Sequence, residues 1–255
     1  MLRGAMHQMR LRAIFASALL CAAVCAPTQA ATAVEILNRV KAAEAPLRDF
    51  RAEMVITEPN KTAISGMGEG YSDILRLEKA VVSYKKPDKI RYDGYARGIK
   101  VAYIQNGYTK LIIAPMIKQK LDVKNKPGQR QDTLDLGFLS SRLWTDNYVT
   151  VVSTNKNGIA KVKFDPKFGD NDKRHDMVWL DLKTLRVIKR EKYLGSGELR
   201  IRNVYSGHTM LGGKLPVATV SEMFDSKGQS LGVATYKNLK VNTGLSDALF
   251  SLTQR

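Results

Sequence analysis

The spacing of apolar residues changes early in the chain, and the change separates a helix from a sheet. Ile36, Val40, Ala43 and Leu47 recur at helical intervals, predicting a helix of about twelve residues that ends near Pro46. Thr32 and Glu35 fit a capping box at its start, where each side chain satisfies an otherwise free backbone donor. From Phe50 the period becomes two. Phe50, Ala52, Met54 and Ile56 share one face, while Arg51, Glu53 and Thr57 are polar, and Glu58-Pro59-Asn60 closes the strand.

The same alternation fills residues 83–115, SYKKPDKIRYDGYARGIKVAYIQNGYTKLIIAP. A strand through Val82 and Tyr84 meets a Lys85-Lys86-Pro87-Asp88 turn, after which Ile90 and Tyr92 alternate with Lys89 and Arg91. Val101 and Tyr103 lead to Asn106-Gly107, a pair that supplies the positive φ angles of a tight hairpin, and residues 111–114 return. Residues 118–130 carry five bases, a Pro-Gly pair and no long apolar run, which predicts a mobile loop. Asp132-Thr133 then offers a cap, and Leu136, Leu139 and Leu143 form a stripe ending at Trp144, which predicts a second helix. Alternation resumes in Val162 with Phe164, Met177 with Trp179, Leu199 with Ile201 and Val233 with Thr235, separated by Gly- and Asn-containing turns. The expected fold class is α+β: one extended antiparallel meander with helices set on one side. Residues 246–252 are expected to cap an open end.

Composition narrows the compartment. Arg3, Arg10 and Arg12 precede an apolar run over residues 13–26, and Pro27 to Ala30 supplies a break and a small residue. Residues 1–30 therefore read as a secretory signal peptide cleaved near Ala30, leaving residues 31–255 as a single exported domain. Both cysteines, Cys21 and Cys25, fall in that leader. Leu20 and Val24 precede them where a lipoprotein cleavage site has a small residue, so lipidation is not expected. The remainder holds 38 bases against 24 acids. Such an excess suits an anionic membrane surface or a nucleic acid. The bases alternate along strands as on a solvated sheet face, and export argues against nucleic acid.

Groups for bond chemistry are few. His175 and His208 have no metal-ligand spacing and read as solvated loop residues. Ser196 lies between Gly195 and Gly197 in a strand-to-strand context, a hairpin turn rather than a nucleophile elbow. Gly66, Gly68 and Gly70 lack a βαβ setting and read as an irregular strand or bulge, and residues 170–172 read as a turn without the closing glutamate of a calcium loop. No cofactor or metal and no enzymatic activity are expected. The greasy sheet face remains, and it fits either a packed sandwich core or a curled sheet around an apolar ligand.

The stretch SYKKPDKIRYDGY followed by VAYIQNGYTKLIIAP resembles the signature of the LolA-type periplasmic outer-membrane lipoprotein carrier superfamily, with the likeness extending over about residues 33–252. The resemblance implies an incomplete antiparallel β-barrel, a half-barrel, with helices forming a lid over a hydrophobic cavity. It also implies a periplasmic carrier or chaperone that receives lipoprotein acyl chains from an inner-membrane release complex and passes them to an outer-membrane acceptor. The family's basic residue before Pro, usually Arg, matches Lys86, implying a lid latch there, although Lys lacks the planar donor fork. The chain is also longer between Pro59 and Val81 and more basic than the usual carrier, which points to a divergent member whose cargo is lipoprotein acyl chains or another lipid.

From residues and resemblance together, the acyl-chain cavity is expected to be lined by Met54, Ile56, Val82, Tyr84, Ile90, Tyr92, Val101, Tyr103, Leu111, Ile113, Phe164, Met177, Trp179, Leu199 and Ile201. Leu136, Leu139 and Leu143 would line the lid helix. The protein is expected to act as a monomer, with an anionic membrane surface as a further partner. A periplasmic sensor or regulatory module of envelope-stress signalling with the same fold is the alternative.

Overall fold

The computed structural model describes residues 31–67, 72–169 and 173–253; residues 1–30, expected to be a leader, and residues 170–172, expected to be a turn, lie outside them. Thr32 caps α1 (Ala33–Glu44) as expected: its hydroxyl accepts from the Glu35 amide, and the Glu35 carboxylate accepts from the Thr32 amide at 2.7 Å. Ile36, Val40 and Ala43 turn into the core.

The chain continues through β1 (Asp49–Thr57), the short helices α2 (Lys61–Ser65) and α3 (Ser72–Leu75), and the strands β2 (Lys79–Lys85), β3 (Lys89–Ala96), β4 (Ile99–Asn106), β5 (Thr109–Ala114) and β6 (Ile117–Asp122). A covering segment over residues 127–146 ends in α4 (Arg142–Asp146). The strands β7 (Asn147–Thr154), β8 (Ile159–Pro166), β9 (His175–Asp181), β10 (Val187–Tyr193) and β11 (Leu199–Ser206) follow. A small hairpin, β12 (Thr209–Leu211) with β13 (Leu215–Val217), precedes β14 (Val220–Asp225) and β15 (Ser230–Val241).

Thirteen strands form one antiparallel sheet in the order β6-β5-β4-β3-β2-β1-β15-β14-β11-β10-β9-β8-β7. The sheet curves but stays open, with β6 and β7 as its two edges. Its middle joins the start of the chain to its end: Ile56 lies opposite Ala234, and Met54 opposite Tyr236. Asp49 secures that joint by accepting from the Thr243 amide at 2.8 Å and the Gly244 amide at 3.2 Å.

One face carries the main core, packed under α1 and the covering segment. Phe138 of that segment meets Phe50 and Tyr84 edge-on, with ring centroids 5.8 and 5.4 Å away. Each fully buried side chain of this size contributes about 1.5–3 kcal/mol. The opposite face has a smaller cluster in which Phe250 covers Ile104 and Leu111.

Four local expectations change. Residues 117–122 form the edge strand β6 instead of a loop, and its solvation on both faces explains the missing apolar alternation. The second helix splits into a 3-10 turn (Thr133–Leu136) and α4, because Gly137 takes a left-handed φ of 74° between them. Gly66 ends α2 rather than forming a bulge, while Gly68 and Gly70 lie outside the described residues. The C-terminal 3-10 turn (Asp247–Phe250) packs on the outer sheet face rather than capping an open end.

Candidate functional site

The covering segment is tied to the inner sheet face by polar contacts at intervals along its length. Gln105 donates from Nε2 to the Gln131 carbonyl at 2.7 Å and accepts from the Gln131 amide at 2.9 Å. The Tyr205 hydroxyl donates to the Leu134 carbonyl at 2.7 Å, and the Ala218 amide to that of Gly137 at 3.1 Å. Leu134, Leu136, Phe138, Leu139 and Leu143 fill the space between these ties.

Arg190 on β10 makes the strongest connection. Only 1% exposed, its guanidinium donates to Asp135 at 2.7 Å, to Asp132 at 2.8 Å and to Asp176 through Nε at 2.9 Å. Asp132 and Asp135 cap each other's 3-10 turn in the covering segment, whereas Asp176 stands on β9. One cation thus joins the lid to two strands. Burial pushes the Asp135 carboxyl up to about 7 despite the opposing charge of Arg190. Burial lowers the pKa of Arg190, but the three carboxylates more than offset it and hold the value well above the usual arginine one. Lys192, two residues on, lies 3.3 Å from Asp135, and burial followed by the charge of Arg200 draws its ammonium down to about 7.

Lys86 sits at the other end of the lid. Its Nζ donates to the carbonyl of Glu44, the last residue of α1, at 3.0 Å. The Glu44 carboxylate in turn accepts from the Ser141 amide at 2.9 Å and from the Ser141 hydroxyl. Lys86 therefore reaches the lid through α1.

Between lid and sheet lies a cavity lined by Met54 and Ile56 of β1, Ile74 and Leu75 of α3, Tyr92, Ile201, Met223, Ala234 and Tyr236, with Gln131, Asp135, Lys192, Asn203 and Ser221 as polar members. It leaves about 60 Å³ for the centres of water-sized molecules. That is room for a few waters at roughly 10–15 Å³ each and too little for a long chain. Beyond Gly128 and Gln129 the cavity meets a wider cleft bordered by Thr62, Met67, Arg174, Leu199, Arg200 and Lys227.

Of the residues expected to line a cavity, Met54, Ile56, Tyr92 and Ile201 lie on its wall. Val82, Tyr84, Ile90, Val101, Tyr103 and Phe164 share the same core, as do Leu136, Leu139 and Leu143 of the lid. Leu199 stands at the rim of the wider cleft.

Four residues face the other way. Leu111 lies opposite Ile104 and Ile113 opposite Ala102, on the face covered by Phe250 and its neighbours. Met177 lies opposite Lys163 and Glu191, and Trp179 opposite Lys161 and Lys189; the Lys189 ammonium sits 3.5 Å from the Trp179 ring. In β9 the buried phase is Val178 and Leu180. A shift of one residue inverts a strand, and a Met–Trp pair looks more apolar than the Val–Leu pair beside it.

Residues not anticipated include Met223, Ala234 and Tyr236, whose phase opposes the more visible Val233 and Thr235. Arg190 gave no pattern signal, because its acidic partners lie 14 to 58 positions away in the chain. His175 opens β9 and stacks on Tyr193 at 4.9 Å rather than standing free in a loop. Ser196 does lie in a hairpin turn, closed by the Gly197 amide donating to the Leu194 carbonyl. Among the described residues no group of His, Cys, Asp or Glu is placed to hold a metal ion, and no helix is long and apolar enough to cross a membrane.

No protein-family model and no curated protein matches the chain. Among solved structures, a LolA superfamily protein from Nitrosomonas europaea superposes with a TM-score of 0.61 at 17% identity, over 87% of this chain and 98% of that one. The chain has the LolA superfamily fold. A domain described as an outer membrane lipoprotein-sorting protein from Vibrio parahaemolyticus matches with a TM-score of 0.52 at 15% identity, over 84% of this chain and 95% of its own. A DUF1329 family protein from Desulfovibrio piger gives 0.50 at 13%, over 85% and 95%. At these identities the likeness is one of fold. The open sheet is the half-barrel, and residues 127–146 cover its inner face.

Proposed function

We propose that the protein is a periplasmic carrier that shields acyl chains of a lipoprotein or another lipid between the half-barrel and its lid and delivers them toward the outer membrane. The observation that carries this reading is the lid itself. It covers a largely apolar wall, yet it is tied to the sheet by separate polar contacts that can release without unpairing a strand. Each methylene moved out of water contributes about 0.8 kcal/mol, so a chain of some sixteen carbons supplies on the order of 10 kcal/mol before entropy losses. No bond chemistry is required. On this reading the leader directs export, the protein acts as a monomer, and Lys86 serves as a latch through Glu44. Cargo arrives from an inner-membrane release complex and leaves to an outer-membrane acceptor.

Ala234 tests the reading. It lies on the cavity wall opposite Ile56 and is 4% exposed. Ala234→Phe should fill the space and weaken binding of a fluorescent acyl probe by at least about tenfold, a loss of roughly 1.4 kcal/mol. Circular dichroism should show the sheet intact. Wild-type protein that takes up no acyl probe, and yields no lipid on extraction from periplasm, would overturn the proposal.

A further inference from the structure

The sheet has two open edges, and their sequences differ in kind. β6 carries Lys118, Lys120 and Asp122, charges that discourage a further strand from pairing there. β7 reads NYVTVVST, with no charge and no proline. Val149, Thr150, Val151, Val152 and Thr154 are β-branched, which suits a strand, and Tyr148 and Val152 are 65% and 50% exposed. A β-bulge between Val151 and Ser153 ends the regular ladder with β8, so the unguarded stretch is residues 147–151.

The hydrogen-bonding phase of that stretch follows from its neighbours. The Lys167 amide donates to the Asp146 carbonyl, and Pro166, which has no amide hydrogen, lies opposite Asn147. Bonded and non-bonded pairs alternate in an antiparallel ladder. Tyr148 and Thr150 therefore turn their backbone groups toward β8, while Asn147, Val149 and Val151 turn theirs to the open side. Among the described residues no other backbone bonds to them.

Bases flank the stretch at both ends. Lys167 lies beyond its start, where Nζ donates to the Trp144 carbonyl and stands 5.4 Å from the Tyr148 ring. Past its end, Lys161 lies opposite Ser153 and 5.2 Å from the Trp179 ring, and Lys156 is exposed in the following turn. Among the described residues none of these three lysines pairs with an acid. The acids beside β7 are engaged: Asp165 with Lys163 at 2.7 Å, and Asp146 with Tyr108, Arg130 and Arg142. Such an edge attracts negative charge. A second copy of the chain brings the same bases to the edge and is repelled.

We infer that the open edge of β7 accepts an extended, acidic segment of a partner protein as an added strand. Main-chain hydrogen bonds to Asn147, Val149 and Val151 supply affinity, and the lysines at either end select the charge. This interaction is separate from the acyl-chain cavity, which lies on the inner face between lid and sheet.

Fluorescence anisotropy with a labelled peptide, acetyl-Glu-Val-Thr-Val-Glu-Val-Thr-Val-Glu-amide, tests this on the leaderless protein. It should bind with a Kd at least about tenfold below that of the counterpart with Lys in place of Glu, and the difference should shrink as salt is raised. A counterpart N-methylated throughout, which has no donors for a strand, should not bind. Hydrogen exchange followed by NMR should show the Val149 and Val151 amides slowed at least about tenfold by the acidic peptide, and Lys161→Gln/Lys167→Gln should remove most of the charge preference. Equal affinity for the acidic and basic peptides, binding of the N-methylated peptide, or unprotected Val149 and Val151 amides at saturation would each overturn the inference. So would protection of those amides in the free protein together with sedimentation as a dimer, which would assign the edge to a second copy. None of these outcomes bears on the carrier reading, which stands or falls on the acyl probe.

Discussion

A single buried cation holds together elements that are far apart in sequence, and its removal should show how much of the fold depends on it. Arg190→Met would leave Asp132, Asp135 and Asp176, whose side chains are 28, 20 and 21% exposed, with Lys192 beside Asp135 as the remaining paired cation among the described residues. Breaking a buried ion cluster by deleting one sign typically costs about 3–5 kcal/mol. Urea denaturation should report a loss of that size. Replacing the whole cluster, with Asp132→Asn, Asp135→Asn and Asp176→Asn added to Arg190→Met, should restore part of it, since the carboxylate charges left without Arg190 are then gone. A loss below about 1 kcal/mol for Arg190→Met would mean that water reaches the carboxylates. Lys86 is a smaller case. It contributes one hydrogen bond to the Glu44 carbonyl, and Lys86→Ala should cost about 1 kcal/mol.

Individual elements differ in how openly the sequence announces them, and the differences have physical causes. The capping box of α1, the alternation of β1 and the hairpins from β2 to β5 rest on local rules of period and turn geometry, and these were legible. The cavity-facing phase of β1, β3 and β11 followed as well, through Met54, Ile56, Tyr92 and Ile201. The phases of β5 and β9 did not, because both faces of those strands carry large apolar side chains and only tertiary cover decides which is inside. β5 is covered outside by the C-terminal turn, a contact between residues some 140 positions apart. That turn is held by Lys85 and Lys89, which draw the Asp247 carboxyl down to about 2. The folded-state value lies below the ordinary 3.8, so the tether is complete above that value and is lost as pH falls from about 4 through about 2. NMR should show the Phe250 and Ile104 resonances shifting in that window, and Asp247→Asn should remove the transition. Gly137 is the lid's equivalent. Its φ is left-handed, and a methyl added there would stand only 2.8 Å from the Ala218 Cβ. Gly137→Ala should therefore destabilise the protein by at least about 1–2 kcal/mol in urea denaturation.

At the scale of the whole molecule, an open sheet has to close its core with something other than its own edges. Here β6 and β7 end the sheet at opposite sides, and residues 127–146 seal the inner face. The seal and the sheet ladder are therefore separate structures. The β1–β15 pairing holds the centre of the sheet, whereas the lid is held by Gln105, Arg190, Tyr205 and the Glu44–Ser141 contact. Native-state hydrogen exchange should resolve the two, since local opening has its own free energy below that of global unfolding. The amides of Gln131 and Ser141, which donate to Gln105 and Glu44, should exchange through lid opening. Those within the β1–β15 pairing should exchange only with global unfolding. Lys86→Ala combined with Ser141→Ala weakens the ties at the α1 end of the lid, removing the Lys86 and Ser141 hydroxyl contacts to Glu44 and leaving the Ser141 amide contact. It should accelerate exchange at Gln131 by about tenfold, as expected for one to two lost hydrogen bonds, and speed acyl-probe uptake in parallel. The central strands should keep their protection relative to the variant's own global stability. If the Gln131 and Ser141 amides instead exchanged at the same free energy as the central strands, the lid could open only by unfolding the protein, and a cavity that small could admit no lipid chain.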